Sequence, residues 1–92
     1  MKVRFSRTAR ADLKAAFDFI YPDSPRAAEA VFLAILDATD SLAEFPNRGR
    51  VGLLPGSREL VVTATGHIIS YIVADGVVTV LRIQHGREDR TS

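Results

Sequence analysis

The chain has 92 residues, a net charge of +1, no cysteine, and apolar and charged shares of 47% and 25%. That length predicts one domain over residues 1–92, and the composition is that of a folded globule rather than a disordered chain. The absence of cysteine excludes a disulfide framework and a cysteine-ligated zinc site. No apolar run approaches the ~20 residues that a membrane helix requires. No apolar signal core follows Met1-Lys2-Val3-Arg4-Phe5, so the reading is a cytoplasmic protein with no membrane partner. The sequence carries no clustered carboxylates, metal-ligand spacing, glycine-rich phosphate loop or nucleophile elbow, so no metal and no cofactor is expected.

Val3-Arg4-Phe5-Ser6 alternates and reads as a first strand, with Ser6 or Thr8 as the N-cap of a helix. Ala9, Leu13, Ala16, Phe17 and Ile20 then recur along one helical face, and Asp12, Lys14 and Asp18 fall off it. Tyr21-Pro22-Asp23-Ser24-Pro25 breaks this helix, because proline cannot continue it without losing a hydrogen bond. Ser24 caps a second helix that starts with Pro25 and runs to about Phe45. Its buried stripe is Ala28, Val31, Phe32, Ile35, Thr39 and Leu42, and Leu33, Leu36 and Ala43 widen the apolar surface beyond one stripe. A helix apolar on more than one side is either sandwiched or open to a partner, which makes Phe32, Leu33 and Leu36 candidates for partner binding. The short link between two long helices predicts an antiparallel helical hairpin.

Residues 46–52 are irregular, and Pro55-Gly56 marks a turn. Beyond it the pattern changes to strands over 59–64, 67–74 and 77–84, joined at Thr65-Gly66 and Asp75-Gly76. The Asp-Gly pair predicts a type I′ hairpin. Residues 85–92 are polar and read as a tail or a terminal turn. The fold class is α+β, in the order β-α-α-β-β-β, with the helical hairpin on one face of an antiparallel sheet and the other face partly open.

Charge is unevenly spread. Residues 1–45 carry six basic and seven acidic side chains, and residues 46–92 carry six basic and four acidic ones. All six bases of the second half are arginines: Arg48, Arg50, Arg58, Arg82, Arg87 and Arg90. Arginine suits forked contact with carboxylate or phosphate. Arg58 and Arg82 read either as an anion-contacting pair on the open sheet face or as members of a solvated face paired with Glu59 or other carboxylates. Arg48-Gly49-Arg50 reads either as a partner-contacting basic loop or as a turn in which Gly49 supplies an unusual φ.

Four blocks resemble one known family in order and spacing. They are Val3-x-Phe5-Ser6-x-x-Ala9-x-x-Asp12-Leu13, Leu42-x-x-Phe45-Pro46-x-x-Gly49-Arg50, Pro55-Gly56-Ser57-Arg58-Glu59-Leu60 and Val80-Leu81-Arg82-Ile83-x-His85-Gly86-Arg87. Spread over nearly the whole chain, they are similar to the ParE/RelE toxins of type II toxin–antitoxin systems. The resemblance implies a cognate antitoxin, ParD-like or similar, whose C-terminal segment folds on the toxin, and a toxin–antitoxin hetero-oligomer. It also implies one of two activities: poisoning DNA gyrase in the ParE branch, or cutting mRNA on the ribosome in the RelE branch.

Cleavage of RNA by 2′-OH attack needs a base, a cation for the phosphorane and an acid for the leaving oxygen. RelE-like enzymes supply these with cations on two strands and an aromatic near the end. Here Glu59 and Val61 stand where the resemblance puts cations, and Ile68 stands where it puts an arginine. No Tyr, Phe or Trp follows Gln84, and no Lys follows Lys14. A ribonuclease reading would rest on His85 with Arg82 and Arg87; otherwise His85 is a plain strand-end residue. His67 reads as a residue flanking a turn. The expectation is therefore a non-enzymatic, ParE-like toxin with gyrase as target and Arg48, Arg50, Arg58, Arg82 and Arg87 as target-binding candidates. The alternatives are a RelE-like endoribonuclease and a degenerate toxin that serves only as an antitoxin-binding co-repressor.

Overall fold

The structure is a computed structural model that describes residues 1–86. Its elements are β1 (Lys2–Phe5), α1 (Arg7–Ile20), α2 (Pro25–Glu44), β2 (Arg50–Val51), β3 (Ser57–Val62), β4 (His67–Ala74) and β5 (Val77–His85). They form one five-stranded sheet in the order β1-β5-β4-β3-β2. Both helices cover the same face, the one to which Leu60, Ile69, Tyr71, Val78, Val80 and Ile83 point. From the helices, Ala9, Ile35 and Leu42 complete the core and are fully buried. The expected α+β hairpin-on-sheet arrangement is present, and no helix among the described residues is long and apolar enough to cross a membrane.

Local chemistry sets the boundaries. Ser6 Oγ accepts from the Ala9 N–H at 3.0 Å and Ser24 Oγ from the Ala27 N–H at 3.0 Å, so each helix begins on a serine cap. Asp75 and Gly76 both hold positive φ, 55° and 74°, as a type I′ hairpin demands. The turn before β4 is longer than Thr65-Gly66. It spans 63–66, because the N–H groups of Thr65 and Gly66 both donate to the Val62 carbonyl, and β3 accordingly runs over Ser57–Val62.

The sheet differs from the expected antiparallel one in two respects. β1 lies parallel to β5, from Lys2 opposite Val77 to Phe5 opposite Val80, and a two-residue β2 adds a strand at the other edge. A period-two pattern has no direction, so only tertiary contacts decide how a lone strand runs. Ser6 supplies them. Its N–H donates to the Val80 carbonyl at 2.8 Å and its hydroxyl to the Leu81 carbonyl at 3.0 Å, while the same oxygen caps α1. At this place β5 bulges, pairing Ser70 with Arg82 and Tyr71 with Val80, so that Leu81 is the additional residue.

Beyond Ser6 the edge of β5 is taken over by α1. Asp12 Oδ2 accepts from the Ile83 N–H at 2.9 Å and from Arg82 Nε at 2.8 Å. This carboxylate stands in for a neighbouring strand. On the opposite side of the molecule the buried Tyr71 hydroxyl donates to the Pro46 carbonyl at 2.8 Å and accepts from the Gly49 N–H at 2.9 Å. Gly49 is fixed by this approach and not by an unusual φ as expected. A Cβ there would stand 2.7 Å from the Tyr71 hydroxyl and 2.8 Å from the Glu59 carbonyl oxygen.

Two stability outcomes follow. Tyr71→Phe strands a buried donor and a buried acceptor and should lower unfolding free energy by about 1–3 kcal/mol in a urea titration. Asp12→Ala removes the acceptor of a backbone N–H as well as an ion pair and should lower it by about 1–2 kcal/mol, with little dependence on salt.

Candidate functional site

The face of α1 that carries Leu13 and Phe17 diverges from α2 beside β1 and leaves a groove of about 600 Å³. Its floor is Phe5, Leu13, Phe17, Phe32 and Leu36, and its rim is Arg4, Arg10 and Lys14. Phe17 packs edge-on against Phe32 with ring centroids 6.0 Å apart, which sets the depth of the groove. The three rim residues are exposed, and Lys14 pairs with Asp18 one turn on. Phe32 and Leu36 thus line one apolar channel, as their place on α2 suggested. Leu33 is half exposed on the adjoining flank, with Tyr21 and Pro25.

The open sheet face is different in character. Across it run Arg50, Glu59, Ser70 and Arg82, each opposite the next in register. Glu59 is only 6% exposed although it faces away from the helices, and Arg50 Nη2 lies 3.4 Å from its Oε1. The next row is Val61, Ile68 and Gln84. Glu59 thus engages Arg50, and the next row offers only aliphatic and amide side chains, which give a phosphate no charge to meet.

Of the two readings of Arg58 and Arg82, the anion-contacting pair is not assembled, and their partners are carbonyls and Asp12, not Glu59. Arg58 stands opposite Tyr71, and its Nη1 donates to the carbonyls of Gly49 at 2.8 Å and Asn47 at 3.4 Å. Arg82 stands opposite Ser70 and reaches round the edge of β5 to Asp12, not to Glu59. Arg48 Nη1 donates to Ser41 Oγ at 2.9 Å, which ties the 46–52 segment to α2. Arg87 lies outside the described residues.

His85 pairs in register with His67, and the rings meet edge to face with centroids 5.1 Å apart. By register both belong to the face of Ile69 and Ile83, whereas Arg82 belongs to the other. His85 and Arg82 therefore diverge. His67 is nearly buried, its Nδ1 2.9 Å from Thr65 Oγ1, and His85 lies over Gly66. Asp12, set aside in the sequence because it falls off the apolar stripe, proves to organise this end of the sheet. Its only signal was its place in the Ala9-x-x-Asp12-Leu13 block. Among the described residues no group of three or more His, Asp or Glu side chains could hold a metal ion.

Known proteins match over most of the chain. A family model described as ParE toxin of type II toxin-antitoxin system, parDE, matches residues 3–90. Toxin RelE2 of Caulobacter vibrioides is 48% identical over 77 residues, 84% of this chain and 85% of that protein. Toxin RelE1 of the same organism is 35% identical over 91 residues, 96% of each. Among solved structures, a chain of the chromosomal ParDE system of P. aeruginosa superposes with a TM-score of 0.84 at 25% identity, covering 92% of this chain and 95% of that one. The RelBE2 toxin–antitoxin complex of Mycobacterium tuberculosis contains a chain with a TM-score of 0.67 at 24% identity, covering 91% of this chain and 95% of that one, a likeness of fold. With a family model spanning nearly its whole length, this chain belongs to the ParE toxin family of type II toxin–antitoxin systems.

Proposed function

We propose that this toxin arrests growth by binding and inhibiting DNA gyrase, and that a cognate antitoxin silences it by laying an acidic, apolar segment into the groove between α1, α2 and β1. The observation that carries the first half is the buried Glu59 on the open sheet face, which occupies Arg50 where a ribonuclease would need a cation for its substrate. Phosphodiester cleavage needs cations that can meet the charge that develops, and in this row Arg50 is engaged by Glu59 and Arg82 by Asp12. The divergence of His85 and Arg82 onto opposite faces of β5 supports the same reading, because an acid–base group and its cation must reach one phosphate. A protein that acts by contact needs neither.

The groove supports the second half. Its apolar floor and three-cation rim complement a segment with carboxylates beside apolar anchors, the kind of chain that folds as it binds. Solved relatives named as ParDE and RelBE2 toxin–antitoxin assemblies support a partner of this kind. A second reading, ribosome-dependent mRNA cleavage, is favoured by the RelE names of the relatives at 48% and 35% identity.

One purified sample separates the two readings. Inhibition of supercoiling with intact mRNA on translating ribosomes is the expected result, and mRNA cleavage with unaffected gyrase would overturn the gyrase reading. His85→Ala should leave growth arrest unchanged, and loss of arrest by a folded variant would restore the ribonuclease. Leu36→Asp combined with Arg10→Glu should weaken capture by a co-expressed antitoxin about thirtyfold or more, as loss of a central anchor does. Undiminished capture would place the antitoxin elsewhere.

A further inference from the structure

The described arginines of the chain's second half are all engaged. Arg48 is held by Ser41, Arg50 by Glu59, Arg58 by two carbonyls and Arg82 by Asp12. The opposite holds at the start of the chain. Lys2, Arg4, Arg7 and Arg10 are all exposed, and among the described residues their side chains form no ion pair and no hydrogen bond. No acid precedes Asp12 in the sequence, and the Asp12 carboxylate is taken by Arg82 and by the Ile83 N–H. Asp40 and Glu44, late in α2, and Asp75, before β5, approach β1 in the topology, but none of them pairs with these four cations. Lys14, one turn beyond Arg10, is paired with Asp18 and bounds the strip.

Val3 and Phe5 pack on the core, so alternation turns Lys2 and Arg4 away from it. Ser6 joins β1 directly to α1, whose first turns carry Arg7 and Arg10. Arg4 and Arg10 meet at the rim of the groove, whereas Lys2 and Arg7 do not line it. The strip of cations is therefore wider than a segment seated in the groove requires. Thr8 and Ala11, exposed beside Arg7 and Arg10, are small. A second protein would find no large apolar anchor there, but contact with phosphate needs only charge and reach. We infer that Arg4, Arg7 and Arg10, with Lys2 continuing along β1, hold the phosphate backbone of duplex DNA, and that the toxin thereby engages gyrase together with the DNA on which it acts. This rests on the gyrase reading above. Single-stranded RNA is disfavoured, since Phe5, the aromatic between Lys2 and Arg10, is turned into the groove floor and gives unstacked bases no platform on the strip. Arg4 and Arg10 belong to both surfaces, so an acidic segment seated in the groove takes half of the strip away from DNA.

The test follows the anisotropy of a short labelled DNA duplex over a range of salt concentrations, together with thermal unfolding and supercoiling by purified gyrase. It compares wild type, Arg7→Gln, the triple variant Arg4→Gln with Arg7→Gln and Arg10→Gln, and Arg26→Gln, which removes an exposed arginine outside the strip. All are expected to melt as wild type does, because the side chains changed are exposed and make no bond within the protein. Each phosphate contact contributes about 0.9 to the steepness of log affinity against log salt, so Arg7→Gln should lessen it by about one and the triple variant by about three. The triple variant should also need about tenfold more protein, or more, to inhibit supercoiling, and Arg26→Gln should match wild type throughout. If wild type binds no duplex at low salt, or the folded triple variant binds with unchanged steepness, the strip is not a DNA contact, and the gyrase reading stands wherever supercoiling is still inhibited. If the triple variant loses the duplex while wild type leaves supercoiling untouched, the strip stands and gyrase is the wrong target. Loss of the duplex with undiminished inhibition of supercoiling would overturn the part given to DNA in engaging gyrase. Tighter binding of wild type to a single-stranded RNA oligomer than to the duplex, lost in the triple variant, would assign the strip to RNA and overturn the proposal.

Discussion

The Tyr71 hydroxyl joins the helical half of the molecule to its sheet. It sits at the end of a fully buried side chain in β4 and bonds both the carbonyl of Pro46 and the N–H of Gly49. The segment that leaves α2 is thereby held against the centre of the sheet, and Gly49 must be glycine to let it come so near. From that fixed point the chain enters β2 beside β3, Arg58 ties off the carbonyls of Asn47 and Gly49, and residues 52–56 turn back towards the open face. Without the tyrosine oxygen two backbone groups of this segment would lose a partner out of reach of water, a larger penalty than one absent hydrogen bond.

The two outer edges of the sheet end up with contrasting surfaces. Beside β1 an apolar channel is sunk between two helices, with cations along its rim. Beside β2 apolar side chains project from a tied loop, with arginines next to them. Both carry basic side chains beside apolar ones, but the channel lies on the helical side, whereas Leu53 and Leu54 bend over the open face beside Glu59, Ser70 and Arg82. The open face between them carries Glu59, paired with Arg50, and Arg82, drawn round the edge of β5 to Asp12.

Much of this architecture is legible along the chain, because local chemistry dictates it. Ser24-Pro25 opens α2, Asp75-Gly76 closes the last hairpin, and the apolar surface of α2, wider than one stripe, includes the Phe32 and Leu36 that line the groove. The direction of β1, the bulge at Leu81 and the pairing of Asp12 with Arg82 are not legible, since each depends on which strand edge meets which helix. The arginines illustrate the difference. Their count and place suggest an anion site, yet Arg58 and Arg82 are each engaged by the protein itself, by carbonyls and by a carboxylate that helical periodicity alone assigns to solvent. The exposed leucines at 53 and 54 escaped notice because a turn segment has no periodicity from which to infer a face.

The pairing of β1 with β5 also bears on when this protein becomes dangerous to the cell that makes it. Ser6 and the Leu81 carbonyl that it bonds are 75 residues apart, and the core row of Leu60, Ile69 and Ile83 closes only once β5 is present. Contacts so distant in sequence form late and slowly, after the loop-closure entropy has been met. A ribosome must therefore release β5 from its exit tunnel before the sheet can close. Until then the nascent chain has no finished groove, so synthesis itself gives an interval in which an inhibitor made alongside it can already be waiting.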